Sequence, residues 1–318
     1  MALDAAFDKE IFHAYLLKGE LTDAIQYLAR FPEQAELHRK YISVFEREEY
    51  AVFAGDCVLN DILILYQKYY RDVFYLHTDE EKAADALKAG FVDYFGIQNP
   101  GGSLAEIEEG PVAEVFQTRG YRFLGGKTGG YWGPYIWQST EEKTYGVELP
   151  EGRQPYTVRF LDGFLSKSWL DYISFGEIGT GGWTDGDGII HCVKSAYDLG
   201  DESFTVSLLK HEAQHAMDLS RYSQMASEEL EYRAKLVELI YSCRRNLLRQ
   251  FVAEADSSKA GNGHSMAADR IAEKFKKRLG RSREEICLLP TAEIQTIARD
   301  LLADSNDEIK GKYGGVPL

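Results

Sequence analysis

The sequence predicts a mixed α+β protein with its helices and strands in separate blocks. Three observations carry that expectation. Residues 1–98 hold apolar side chains at helical spacing, residues 99–200 hold short aromatic and β-branched runs among frequent glycines, and residues 201–318 return to helical spacing. Blocks that do not alternate argue against a doubly wound parallel sheet. The expected organisation is a helical N-terminal region over 1–98 and a second domain over 99–318, strand-rich to 200 and helical beyond.

The elements follow in order. "DKEIFHAYLLKG", "LTDAIQYLARF", "EQAELHRKYISVFERE", "LNDILILYQKYYRDVFYL" and "DEEKAADALKAGFVDYFG" read as helices, punctuated by Gly19, Pro32 and Thr78-Asp79. In the middle block "GYRFLGG", "GYWGPYIWQS", "KTYGVELP", "PYTVRFLDGF", "WLDYISFGEIG" and "GIIHCV" read as strands, with Glu151-Gly152, Asp162-Gly163 and Asp185-Gly186 as turns. The last block reads as helices in "SFTVSLLKHEAQHAMDL", "SEELEYRAKLVELIYSCRRNLLRQFV", "MAADRIAEKFKKRL" and "TAEIQTIARDLLAD".

Composition narrows the function. A chain of 318 residues with 44% hydrophobic and 13% aromatic side chains has ample material for a packed core. Its formal charge of −15, from 51 acidic and 36 basic groups, repels phosphate backbones and anionic lipid. Neither nucleic acid nor a membrane is therefore an expected partner. The start, "MALDAAFDKEIFHAYLLKGE", lacks a basic segment followed by an apolar run, and no later stretch suits a bilayer. Cys57, Cys192, Cys243 and Cys287 lie far apart without a CxxC pair, as suits reduced thiols and a cytoplasmic location.

Two motifs fail on spacing. "LGGKTGG" has Tyr121 where a phosphate-binding loop needs its first glycine, and no helix opens after Thr128, so a glycine-rich turn is expected. "TDGDGII" puts Ile189 and Ile190 where a calcium loop needs a ligand and a glycine, so it reads as a hairpin turn.

The stretch "LLKHEAQHAMD", Leu208 to Asp218, is different. His211 and His215 stand four apart on one helical face, so both imidazoles can reach one ion. Neutral imidazole is a favoured zinc ligand, and a catalytic zinc takes three protein groups plus one water. Glu212 flanks the same face, where a carboxylate can act as general base toward that water. The flanks Leu208, Leu209, Ala213, Gln214, Ala216 and Met217 are uncharged, as a buried helix requires, and only Lys210 carries charge. Asp218 lies on the histidine stripe and can support it or simply end the helix.

This helix resembles the zincin metallopeptidase signature. The resemblance implies a twisted mixed sheet with active-site helices, one Zn²⁺ and a peptide or protein substrate. The metzincin extension is absent, since Asp218 and Arg221 stand at its glycine and final histidine positions. The gluzincin type takes a glutamate from a following helix, and "SEELEYRAKLVEL" offers Glu228, Glu229, Glu231 and Glu238. Ser227 is expected as N-cap, giving Glu228 and Glu229 a structural use in the first turn. "ELEYRA" is similar to the gluzincin pattern and points to Glu231, with Glu229 and Glu228 as alternates. Leu230, Val237, Ile240 and Leu247 define an apolar face from which Glu231, Lys235 and Glu238 point away.

For stabilising an oxyanion, His264 and Tyr222 come first, with Tyr232 and His191 behind them. The resemblance also implies an edge strand above the active-site helix that pairs with substrate backbone. "IGTGGW" occupies that place, which makes Gly181, Gly182 and Trp183 candidate substrate-binding residues. A zincin-fold binding or regulatory protein that uses the N-terminal helices as its surface is the alternative to a peptidase. Hydrolysis of a non-peptide amide is a third reading.

Overall fold

The structure is a computed structural model that describes residues 6–52, 55–98, 101–184, 188–256 and 263–313. The fold is α+β: N-terminal helices, a central mixed sheet and a C-terminal helical region. The chain forms two compact units, one of residues 1–139 and 162–180, the other of 140–161 and 181–318. The strand-rich stretch 99–200 is thus shared between the units, and texture and compact unit do not coincide.

The first unit opens with α1 (Lys9–Leu17), α2 (Leu21–Leu28), α3 (Ala35–Tyr41), α4 (Cys57–Phe74) and α5 (Glu80–Phe95). The side chains of Asp8, Asp56 and Asp79 accept the first free N–H groups of α1, α4 and α5. α3 runs on into a π-turn at Ile42–Glu46. Leu16, Leu28, Tyr41, Phe45, Ile62, Phe74 and Phe91 form the buried seam between these helices. Short helices α6 (Leu104–Ile107) and α7 (Ala113–Gln117) lead to β1 (Arg122–Leu124), β2 (Lys127–Thr128), β3 (Tyr131–Trp132) and β4 (Tyr135–Trp137). β2 and β3 pair with Lys127 opposite Trp132, so the second half of "LGGKTGG" is the hairpin turn its neighbours suggest.

The chain then runs through β5 (Ser139–Leu149) and β6 (Gly152–Asp162), which join the second unit, and returns to the first as β7 (Ser166–Lys167) and α8 (Ser168–Ile173). The expected strand in "WLDYISFGEIG" is therefore a helix. Its buried apolar side chains, Trp169 and Ile173, are four residues apart and share a helical face, which alternation would not give them.

The second unit adds β8 (Gly182–Thr184) and β9 (Ile190–Val193) to complete a four-stranded sheet of order β5-β6-β9-β8. β6 and β9 run parallel with Phe160 opposite Cys192, and β8 pairs antiparallel with β9 with Trp183 opposite His191. The expected turn at Asp185-Gly186 lies outside the described residues. Tyr156, Val158 and Phe160 on β6 alternate inward with Ile190 and Cys192 on β9. They belong to one core with Leu209, Ala213 and Met217.

The helices of this unit are α9 (Glu202–Thr205), α10 (Leu209–Arg221), α11 (Ser227–Tyr241), α12 (Leu247–Glu254), α13 (Gly263–Leu279), α14 (Arg283–Ile286) and α15 (Thr291–Tyr313). Two expected continuous helices are broken. "SFTVSLLKHEAQHAMDL" divides between α9 and α10, and the long run from Ser227 breaks at Ser242, whose backbone is extended and whose hydroxyl donates to Glu202 Oε2. α11 is packed by α10, α13 and α15 and is buried from Tyr232 to Ile240. Lys235 and Glu238, expected to point outward, are consequently inside and paired. Lys235 Nζ lies 2.8 Å from Glu254 Oε2, while Glu238 meets His211. Among the described residues, no helix is long and apolar enough to cross a membrane.

Candidate metal centre

α10 and α11 carry every group of the centre. The i, i+4 spacing sets the rings of His211 and His215 edge to face on one side of α10, with centroids 4.6 Å apart and planes at 81°. The two Nε2 atoms converge to 2.9 Å. Across the helix contact, Glu231 brings Oε2 to 3.4 Å from His211 Nε2 and Oε1 to 3.5 Å from His215 Nε2. Metal–ligand bonds of about 2.0–2.1 Å in tetrahedral geometry put neighbouring ligand atoms about 3.3 Å apart. The three observed separations bracket that value, and these residues form a group that can hold a metal ion.

Their surroundings fit the same reading. His211 Nδ1 lies 2.8 Å from Glu238 Oε1. A carboxylate only accepts, so Nδ1 carries a hydrogen and Nε2 is the nitrogen left to ligate. Glu231 Oε2 is buried and has no hydrogen-bond partner among the described residues, although His264 Nδ1 approaches to 2.9 Å without hydrogen-bond alignment. An unsatisfied buried carboxylate oxygen is costly, and a cation removes the cost. Burial alone would lower the His211 pKa. The carboxylates of Glu231 and Glu238 outweigh it and hold the imidazole up at about 10. Burial alone would raise Glu231, but His211, His215 and His264 keep it far below the usual carboxylate range. The pocket thus favours positive charge between its carboxylates, a preference that a divalent cation meets as a proton does.

Glu212 sits beside this group. Its Oε2 accepts a hydrogen bond of 2.6 Å from Thr184 Oγ1 on β8. Glu212, His215 and Glu231 line a cavity of about 320 Å³ together with Trp183, Leu230 and His264. β8 is last in the order of its sheet, but of "IGTGGW" only Gly182 and Trp183 belong to it, and residues 178–181 are not strand. Gly182 and Trp183 line the cavity, and Gly181 does not. The fold itself uses both glycines. A Cβ at Gly181 would collide with Tyr197 Oη, and one at Gly182 would come within 2.5 Å of the His191 carbonyl oxygen.

The other sequence candidates separate by position. His264 reaches the cavity from the start of α13 and is exposed. Tyr222 ends α10 with its ring 6.2 Å from that of Tyr313, outside the cavity lining. Tyr232 is buried under the Arg270 guanidinium, and His191 stacks on Trp183 with centroids 4.9 Å apart. Ala226 and not Ser227 caps α11, because the helix begins one residue earlier than the serine suggested. Glu229 is buried against Arg270 Nη1 at 2.9 Å, and Glu228 lines a separate surface cavity with Arg270 and Lys312. Asp218 touches neither histidine and is bound to Arg233.

One contributor escapes the sequence, and a second is named there only as a candidate ligand and not as the partner of His211 Nδ1. Thr184 carries no signal, because nothing local links it to Glu212. Glu238 does carry one: it lies seven residues from Glu231, two helical turns along the same face. Comparison with protein-family models, curated proteins and solved structures finds no match to this chain. The centre therefore stands on its own chemistry.

Proposed function

We propose that the chain is a zinc-dependent peptidase of the gluzincin kind, acting on peptide or protein substrates in the cytoplasm. His211, His215 and Glu231 would hold one zinc ion. The ion, when bound, supplies a Lewis acid and a water of lowered pKa. The chain's own residues do the rest. Glu212, aimed by the Thr184 hydroxyl, takes the proton of the attacking water and delivers it to the leaving nitrogen. β8, last in the order of its sheet, would take an extended peptide alongside, with Trp183, Leu219 and Leu230 as apolar walls. His264, exposed beside Glu231, would donate toward the developing oxyanion.

The observation that carries this reading is convergence. A cation-favouring His/His/Glu group, an oriented carboxylate and a sheet edge meet on one cavity. Elemental analysis and a peptide-library assay test it. Native protein should bind one zinc, Glu231→Gln should lose it, and Glu212→Gln should keep it while cleavage falls by about 10²–10⁴. Full zinc in Glu231→Gln removes that ligand, and equal cleavage in Glu212→Gln removes the mechanism. Zinc without any cleavage across the library selects the binding-protein reading.

A further inference from the structure

A second cavity, of about 310 Å³, lies in the first unit, remote in sequence from the histidine cluster and independent of its reading. Its walls are mainly apolar: Val44, Ala51, Leu165, Tyr172 and Phe175. Three of these are held in place. The amide of buried Gln67 grips Ala51 at both ends, accepting from its N–H at 2.9 Å and donating to its carbonyl at 3.0 Å. The same side chain accepts the Tyr172 hydroxyl at 2.8 Å. Phe175 adopts a left-handed backbone with φ 52, rare for an aromatic residue. It is kept there by the Tyr41 ring at 4.5 Å, whose hydroxyl in turn donates to the Ile173 carbonyl at 2.7 Å. Strain of this kind persists where the surroundings over-determine it, as they do at ligand clamps.

The rim supplies charge. Lys40 Nζ sits 3.9 Å from the centroid of Phe175 at the mouth of the cavity. Lys40 also lines an adjoining surface hollow with His38, Arg39 and Arg47. Among the described residues, none of these basic groups forms an ion pair, although the chain carries a large acidic excess and Glu36 shares the rim. Asp171, the carboxylate on the apolar wall, is already paired with Lys167 at 3.1 Å. An apolar chamber with the Lys40 ammonium on its lining and further basic groups in the adjoining hollow matches a molecule that is apolar in body and anionic at one end.

We propose that this cavity binds a small organic monoanion, an aryl or short acyl carboxylate. Its body lies between Tyr172, Phe175, Val44 and Leu165, and its carboxylate meets Lys40. The test uses the full chain with 3-phenylpropionate as probe, followed by calorimetry and by amide chemical-shift changes. Saturable binding is expected with a dissociation constant of order 0.1–1 mM, as for a ligand of this size. 3-Phenyl-1-propanol, which keeps the body and lacks the charge, should bind at least about ten-fold more weakly. Lys40→Glu, at an exposed position that leaves the core untouched, should weaken the carboxylate by about ten-fold or more and leave the alcohol unchanged. Inorganic phosphate should not displace the probe at equal concentration. Equal binding of the alcohol, an unchanged affinity in Lys40→Glu, displacement by phosphate, or no saturation up to about 10 mM would each overturn the proposal.

Discussion

Two buried polar clusters lie side by side on the same pair of helices, and they are built to opposite specifications. In the first, Arg233 has no exposed surface, and all five of its N–H groups find acceptors. Nε and Nη2 reach Asp218 at 2.7 and 3.0 Å, Nη2 also reaches Glu151, and Nη1 reaches Ser305 and Asn306. In the second, His211, His215 and Glu231 crowd their ligating atoms together and leave Glu231 Oε2 and His215 Nδ1 without hydrogen bonds among the described residues. In the first cluster the Arg233 guanidinium is saturated and ties α10, α11 and α15 to the β5–β6 turn. The second is unfinished and faces a cavity. Burial alone does not distinguish a structural network from a site; what sets the second cluster apart is that its unmet ligand atoms converge beside a cavity.

The largest expected effect breaks the saturated cluster. Asp218→Ala strands the Arg233 guanidinium and should cost about 3–5 kcal/mol in denaturant unfolding. A loss below about 1 kcal/mol would show that the pair does not clamp the helices.

A third buried acid, Glu108 in the first unit, sharpens the comparison because it has only neutral partners. It accepts from Tyr66 Oη at 2.5 Å and from the Gly126 N–H at 2.8 Å. Burial outweighs both and raises its pKa from 4.5 to about 7. The folded chain thus keeps this proton up to about pH 7, whereas the unfolded chain releases it near 4.5. Its contribution is fully present below about pH 4.5 and fades as pH rises to about 7, by about 3 kcal/mol in all. Unfolding curves across that range should show a slope that Glu108→Gln removes. An unaltered slope would place the proton elsewhere.

Next in size is the support beneath the unfinished cluster. Glu238→Gln keeps the shape but loses the charge behind His211 Nδ1, and competition with a chelator should show zinc held about 10–100-fold more weakly. Unchanged affinity would make Glu238 a packing residue only. The smallest effect belongs to Thr184→Val, which frees the Glu212 carboxylate. On the proposed peptidase reading, cleavage should fall by about ten-fold at unchanged zinc content, the worth of one hydrogen bond. A variant that cleaves normally would show that Glu212 needs no such guide.

Local patterns determined a good deal of this protein by themselves. The N-terminal helices and the His211–His215 face follow from spacings of three and four residues, because backbone periodicity is a short-range property. What failed locally did so for a stated reason. Residues 168–173 are aromatic and β-branched enough to suggest a strand, yet the unit buries them as a helical turn. Tertiary structure alone decided the rest. "ELEYRA" already pointed to Glu231, and the packing of α11 on α10 chose it over Glu228 and Glu229; the same packing turned Glu238 and Lys235 inward on a helix buried nearly all round. It also brought Thr184 to Glu212 across 28 positions of sequence, and Arg233 to Asp218 across 15. Which polar groups meet is set by how helices and sheet stack, and such contacts leave no period in the chain for a sequence to show.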